Sequence, residues 1–149
     1  MIDLHCHILP GVDDGSRNME DTIALLKKAK NAGFDTICFT PHYAEPQYLH
    51  TKNENQEILE QVKARINEEN LAVKLLLGNE IFISQNMEEL LENGKITTLA
   101  NTRVCFNRVA DVSRIASRSG SKNVGASEKK RLESCDCASR KVYIYSKKS

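Results

Sequence analysis

Three short apolar runs, Met1–Leu4, Phe34–Thr40 and Leu71–Leu77, each run straight into residues that bind metals. His5 and His7 follow the first run, Pro41-His42 closes the second, and Gly78-Asn79-Glu80 closes the third. The two segments between the runs have helical period, so the order is β-α-β-α-β. Strands joined by helical crossovers pair in parallel, which makes this an α/β chain. In parallel α/β barrels the chemistry sits at the carboxyl ends of the strands. Ligand-type residues delivered at the same end of three successive strands therefore point to one shared site. Taken singly, a His after Pro reads as a solvated turn residue and a Glu after Gly-Asn as a surface charge. The repetition is what argues otherwise.

The first stretch is the densest. Two residues apart on an extended chain, the His5 and His7 imidazoles project to the same side. Pro10-Gly11 then turns the chain, and Asp13-Asp14-Gly15 follows as an oxygen-donor pair. Imidazole with carboxylate suits Mn, Zn or Fe rather than a thiolate-preferring metal. The alternative is one structural His and an Asp pair that merely starts a loop. Cys6, between the histidines, alternates to the opposite face, and Cys6 and Cys38 both read as small core residues in strands.

Asn18 is a good N-cap with Glu20 and Asp21 in the first turn. Met19, Ile23, Leu26 and Ala29 recur at helical spacing up to a stop at Gly33. Ala44–Thr51 reads as a loop. A polar helix over Lys52–Asn70 carries an apolar stripe of Ile58, Leu59, Val62 and Ile66. Ile81-Phe82-Ile83 extends or follows the third strand, a short helix spans Asn86–Glu92, and Ile96–Leu99 leads towards a fourth strand.

With 149 residues the chain suffices for one domain with a core. No run approaches the roughly 20 apolar residues of a membrane span, and no signal peptide is visible. Five cysteines without framework spacing fit a reducing cytoplasm. The net charge of +1 hides a division at Arg103: residues 1–103 carry −6, whereas residues 104–149 carry +7 and are rich in serine.

Asp-x-His-x-His-x-Leu-Pro-Gly-x-Asp-Asp-Gly, followed by Thr-Pro-His and Gly-x-Glu-Ile, resembles the PHP (polymerase and histidinol phosphatase) superfamily. Within it, His-Ile-Leu-Pro-Gly-Val-Asp-Asp-Gly-Ser resembles the manganese-dependent protein-tyrosine phosphatases of bacterial capsule and exopolysaccharide operons. The resemblance covers residues 1–103. It implies the amino-terminal part of a distorted (β/α)7 barrel, here incomplete, with a metal cluster at its mouth. It implies Mn2+, or another divalent metal, held by His5, His7, Asp14, His42 and Glu80, with Glu80 bridging. In such sites a metal-bound hydroxide attacks phosphorus, so no cysteine nucleophile is needed. The implied partner is a phosphotyrosine protein, an autophosphorylating bacterial tyrosine kinase.

After Thr102-Arg103 the family continues roughly Tyr-Val-Leu-Ile-Glu, and later His-Pro-Glu-Arg-Tyr; neither occurs here. Val104–Asp111 can be encoded GTA TGT TTT AAT AGA GTT GCC GAT, which one base later, with the first base of Val112, gives Tyr-Val-Leu-Ile-Glu-Leu-Pro-Met. Asp136–Tyr143 can be encoded GAT TGT GCA TCC CGA AAG GTA TAC, which at the same offset gives Ile-Val-His-Pro-Glu-Arg-Tyr. Residues 104–149 are therefore read as an out-of-frame, disordered tail after a partial phosphatase domain. The competing reading is a genuine basic arm binding nucleic acid by salt-sensitive phosphate contacts; Cys135-Asp136-Cys137, a single Cys-x-Cys, is a weak metal motif.

Three functional readings follow: a metal-dependent tyrosine phosphatase of which this chain retains little or no activity, an inert metal-binding fragment, and a basic-tailed binding protein. A phosphoesterase of other specificity, such as histidinol phosphate, is the runner-up among enzymes.

Overall fold

The computed structural model describes residues 1–82, 87–102, 104–108, 134–137 and 140–144. The element order is β1 (Ile2–Cys6), α1 (Met19–Asn31), β2 (Thr36–Phe39), β3 (His42–Tyr43), α2 (Lys52–Glu68), β4 (Lys74–Leu77), β5 (Glu80–Phe82), α3 (Met87–Glu92), a 3-10 turn (Leu99–Asn101), β6 (Val104–Arg108), β7 (Ser134–Cys137) and β8 (Arg140–Ile144). Strands β1-β2-β4 form one parallel sheet. The second sheet runs β3-β5-β6-β8-β7, parallel from β3 to β6 and antiparallel beyond. Among the described residues, no helix is long and apolar enough to cross a membrane.

The two sheets are joined by bends. Thr40-Pro41 separates β2 from β3, and Gly78-Asn79 separates β4 from β5. Proline has no N–H to give the ladder, but its carbonyl still accepts: Glu80 N–H donates to Pro41 O at 3.0 Å and Asn79 Nδ2 at 3.2 Å. Gly78 N–H donates to Phe39 O at 2.8 Å. A Cβ on Gly78 would stand 3.0 Å from Leu99 Cδ1 and 3.2 Å from Leu99 Cα, so the bend needs its glycine. Each of the second and third expected strands is thus two shorter strands around a kink. The kink re-aims His42 and Glu80, which pair directly in register.

The helices form where their caps and stripes place them. Asn18 Oδ1 accepts from Asp21 N–H at 2.8 Å, and Gly33 follows the last turn with φ of +92°. In α2, Thr51 and Glu54 form a reciprocal capping box. Ile23 and Leu26 of α1 and Leu59, Val62 and Ile66 of α2 pack with Ile37, Phe39, Leu75 and Leu77 in one core. Burying such side chains contributes about 1.5–3 kcal/mol each. Cys38 is buried, and Cys6 turns away from the histidines to place Sγ 3.4 Å from Cys38 O.

Ile96–Leu99 leads towards the fourth strand through a turn: Thr97 N–H donates to Asn79 Oδ1 at 2.9 Å, and Ala100 and Asn101 take positive φ. The fourth parallel strand begins only at Val104. The stretch after Arg103 is not wholly irregular. Val104–Arg108 pairs with β5, Cys105 is buried, and Arg140–Ile144, with its β-favouring Val-Tyr-Ile, covers the far edge of β6. β5 is therefore paired on both sides, by β3 and by β6. Residues 109–133, and with them most of the expected tail, lie outside the described residues, as do Ile83 and Asn86.

Candidate metal centre

β1 sets His5 within the strand and His7 just past its end, with both rings on one side: His5 Nε2 and His7 Nε2 lie 3.3 Å apart. β5 brings Glu80 beneath them. Its Oε2 is 3.7 Å from His5 Nε2, 3.1 Å from His7 Nε2 and 3.3 Å from His42 Nδ1. The Pro10–Gly15 loop folds back across this edge and places Asp14 Oδ1 3.4 Å from His42 Nε2. The structure thus places His5, His7, Asp14, His42 and Glu80 in two adjoining donor groups that share His7. The donor atoms of His5, His7 and Glu80 lie within 4.8 Å of one another, and so do those of His7, Asp13, Asp14 and His42.

The loop reaches this position because Gly15 has no side chain. A Cβ there would fall 1.7 Å from His7 O. Ser16 N–H donates to that same oxygen at 3.0 Å, and Thr22 Oγ1 donates to Ile8 O at 2.8 Å, tying the loop to α1.

Two further residues stand against the imidazoles: Asp13, one of the expected oxygen-donor pair though not of the five implied ligands, and Thr40, which the sequence reading left out. Asp13, whose side chain is 0% exposed, places Oδ2 2.8 Å from His7 Nδ1. It also accepts from the His42 backbone N–H at 3.1 Å and, through Oδ1, from Gly15 N–H at 3.0 Å. Thr40 Oγ1 lies 2.9 Å from His5 Nδ1 and donates to Cys6 O at 3.3 Å. The Nδ1 atoms of His5 and His7 thus face oxygens of Thr40 and Asp13, and their Nε2 atoms face Glu80. A carboxylate or hydroxyl behind a ligating imidazole fixes its tautomer and its orientation. The only sequence signals were the doubling of Asp before Gly15 and the Thr ahead of Pro41.

The site is electrostatically strained towards a cation. Burial alone lowers the His7 pKa, but its hydrogen bonds to the Asp13 and Glu80 carboxylates overcome it and raise it to about 9. Burial raises the Glu80 carboxyl, yet the hydrogen bond with His7 and the charges of His5 and His42 leave it below its ordinary value. His42 is lowered, by burial and then by the charge on His7. Its Nδ1 is buried without a hydrogen-bond partner despite its proximity to Glu80. An all-nitrogen-and-oxygen donor set with a buried imidazole nitrogen left over fits a divalent cation of the Mn, Zn or Fe kind. Phe106, level with Glu80 on β6, turns its ring to within 4.7 Å of the His5 ring. Cys6 carries no such role: burial pushes its thiol well above its ordinary value.

Comparison with known proteins agrees with this geometry. The family model described as capsular polysaccharide synthesis, CpsB/CapC, matches residues 1–121, beyond the Arg103 boundary of the motif resemblance. The chain is 34% identical over 103 residues to the tyrosine-protein phosphatase YwqE of Bacillus subtilis, covering 69% of this chain and 41% of that protein. It is 32% identical over 103 residues to the tyrosine-protein phosphatase CpsB of Streptococcus pneumoniae, covering 69% of this chain and 42% of that one. It also superposes on a crystal structure from the study of YwqE and CpsB as metal-dependent tyrosine phosphatases, with a TM-score of 0.70 and 32% identity over 74% of this chain and 44% of that chain. The chain therefore spans about two fifths of the length of these relatives. On the family match and the shared fold, this chain belongs to the capsular polysaccharide synthesis CpsB/CapC family.

Proposed function

We propose that the chain carries the metal-binding edge of a manganese-dependent protein-tyrosine phosphatase, the first part of a (β/α)7 arrangement. The observation that carries this reading is the convergence of His5 Nε2, His7 Nε2 and His42 Nδ1 on Glu80 Oε2 within 3.7 Å. His5, His7 and Glu80 would hold one cation, and Asp14 and His42 would help to hold a second. Bound there, divalent cations neutralise phosphate charge and make water a better nucleophile. The chain's own residues do the positioning. Asp13 and Thr40 lock the two imidazoles, and the bend at Pro41 and Gly78 holds His42 and Glu80 in register.

The proposed substrate is a phosphotyrosine protein, an autophosphorylating kinase of polysaccharide export, and the proposed setting is the cytoplasm. Phosphoryl transfer depends on several positioned charges at once. The donors the family supplies from later segments are not spelled in residues 104–149, so this chain by itself turns over little or no substrate. We further propose that those residues are out of frame. The nucleotide sequence tests this: codons at 104–143 that do not spell the two family motifs one base later would refute it.

Titration of the purified chain with Mn2+, followed by p-nitrophenyl phosphate hydrolysis, tests the functional reading. Stoichiometric Mn2+ binding that disappears in His7→Ala is expected, with turnover at or near background. Absence of divalent-cation binding would overturn the metal reading. Robust turnover lost in His5→Ala would overturn the inactivity while keeping the metal reading.

A further inference from the structure

Next to the cluster lies a hollow of about 390 Å³, walled by Tyr43, Pro46, Tyr48, Ile81, Phe82 and Leu90. Its volume falls in the range of about 300–1,000 Å³ typical of small-molecule sites. The metal reading leaves it unused. It opens beside His42: the Tyr48 ring stacks on the His42 imidazole with centroids 5.3 Å apart and planes at 22°, and the Phe82 ring is 6.0 Å away.

The lining decides what can enter. Among the described residues it contains aromatic and aliphatic side chains, the amide of Gln47, no lysine or arginine, and one carboxylate, Glu45, whose Oε1 accepts from the Tyr43 hydroxyl at 3.3 Å. A phosphate dianion would meet a carboxylate and no cation, so this is not a second anion site. A flat apolar ring gains both burial and offset or edge contacts with Tyr48 and Phe82. Tyr48 thus both lines the hollow and stacks on His42.

We infer that the hollow beside His42 seats the aromatic ring of the phosphoester whose phosphate faces the cluster, with Tyr48 and Phe82 as the residues that select aryl over alkyl esters. This rests on the phosphatase reading for the phosphate, but the ring site is testable without it.

The test uses amide chemical shifts of the full chain with three probes: p-cresol, phenyl phosphate and inorganic phosphate, each with Zn2+ (a diamagnetic stand-in) and with EDTA. With EDTA, p-cresol should shift the amides of Ala44–Tyr48 and Ile81–Phe82. With Zn2+, phenyl phosphate should bind roughly 2- to 10-fold tighter than inorganic phosphate, the gain of one aromatic contact. Tyr48→Ala and Phe82→Ala should close that gap, and Tyr48→Phe should preserve it. Unshifted amides with p-cresol, or a gap that survives both alanine variants, would overturn the ring site. If p-cresol binds, inorganic phosphate does not, and phenyl phosphate binds no tighter in Zn2+ than in EDTA, the metal reading fails and the ring site stands.

Discussion

Asp13 Oδ2 lies 2.8 Å from His7 Nδ1, the ring nitrogen other than the one that faces Glu80. The same carboxylate holds the His42 backbone N–H, so one buried residue orients a candidate ligand on β1 and anchors the strand that carries another. Asp14, its neighbour, is 63% exposed and faces His42 Nε2. Two adjacent aspartates thus have separate tasks, one behind the imidazole and one in front.

Asp13→Ala should weaken divalent-cation affinity by about 10- to 100-fold, as loss of a partner behind a ligating imidazole does. Asp13→Asn, which keeps an oxygen facing His7, should lose less. Calorimetric titration with Mn2+ or Zn2+ checks both, and equal loss in the two variants would remove the positioning role.

Gly15→Ala should displace the loop from β1, because its Cβ has no space beside His7 O. A destabilisation of about 1–3 kcal/mol is expected, as for other forced overpacking. Metal affinity should fall with it, since the loop carries Asp13 and Asp14. Urea unfolding and metal titration of the same sample report the two effects together.

Metal should stabilise the fold by mass action. At a free Mn2+ concentration of 100 times Kd, the gain is about 2.7 kcal/mol. EDTA should reverse the rise in Tm, and His42→Ala should reduce it, because β1 alone supplies no ligand to the second position.

A separate acid dependence belongs to Asp35. Hydrogen bonds from Lys30 and then from the Met1 ammonium hold its carboxyl below the usual value. A depressed carboxyl contributes stability above its unfolded pKa and loses it as pH falls through the folded value. Asp35→Asn should flatten the acid limb of the stability profile below about pH 4. The effect should be small and shrink with salt, because the pair is exposed.

The strand and helix plan was legible because caps and periodicity are local. Asn18, Thr51 and Gly33 mark α1 and α2, and the apolar stripes named their buried faces. The kinks were not legible. Pro41 and Gly78 announce interruptions, but only the packing of Leu99 against Gly78 shows that both strands bend together and continue. The strands after Arg103 were missed because Val104–Arg108 has little alternation of its own; pairing with β5 makes it a strand.

By itself the sequence determined which donor residues exist and that parallel strands would deliver them to one edge, because residue spacing and strand direction are fixed along the chain. Only the tertiary structure decided which donors face one another and which stand behind. That depends on a loop closing over Gly15, on two coupled bends and on Asp13 reaching across to β3. These contacts link residues far apart in sequence, and no local pattern encodes their distances.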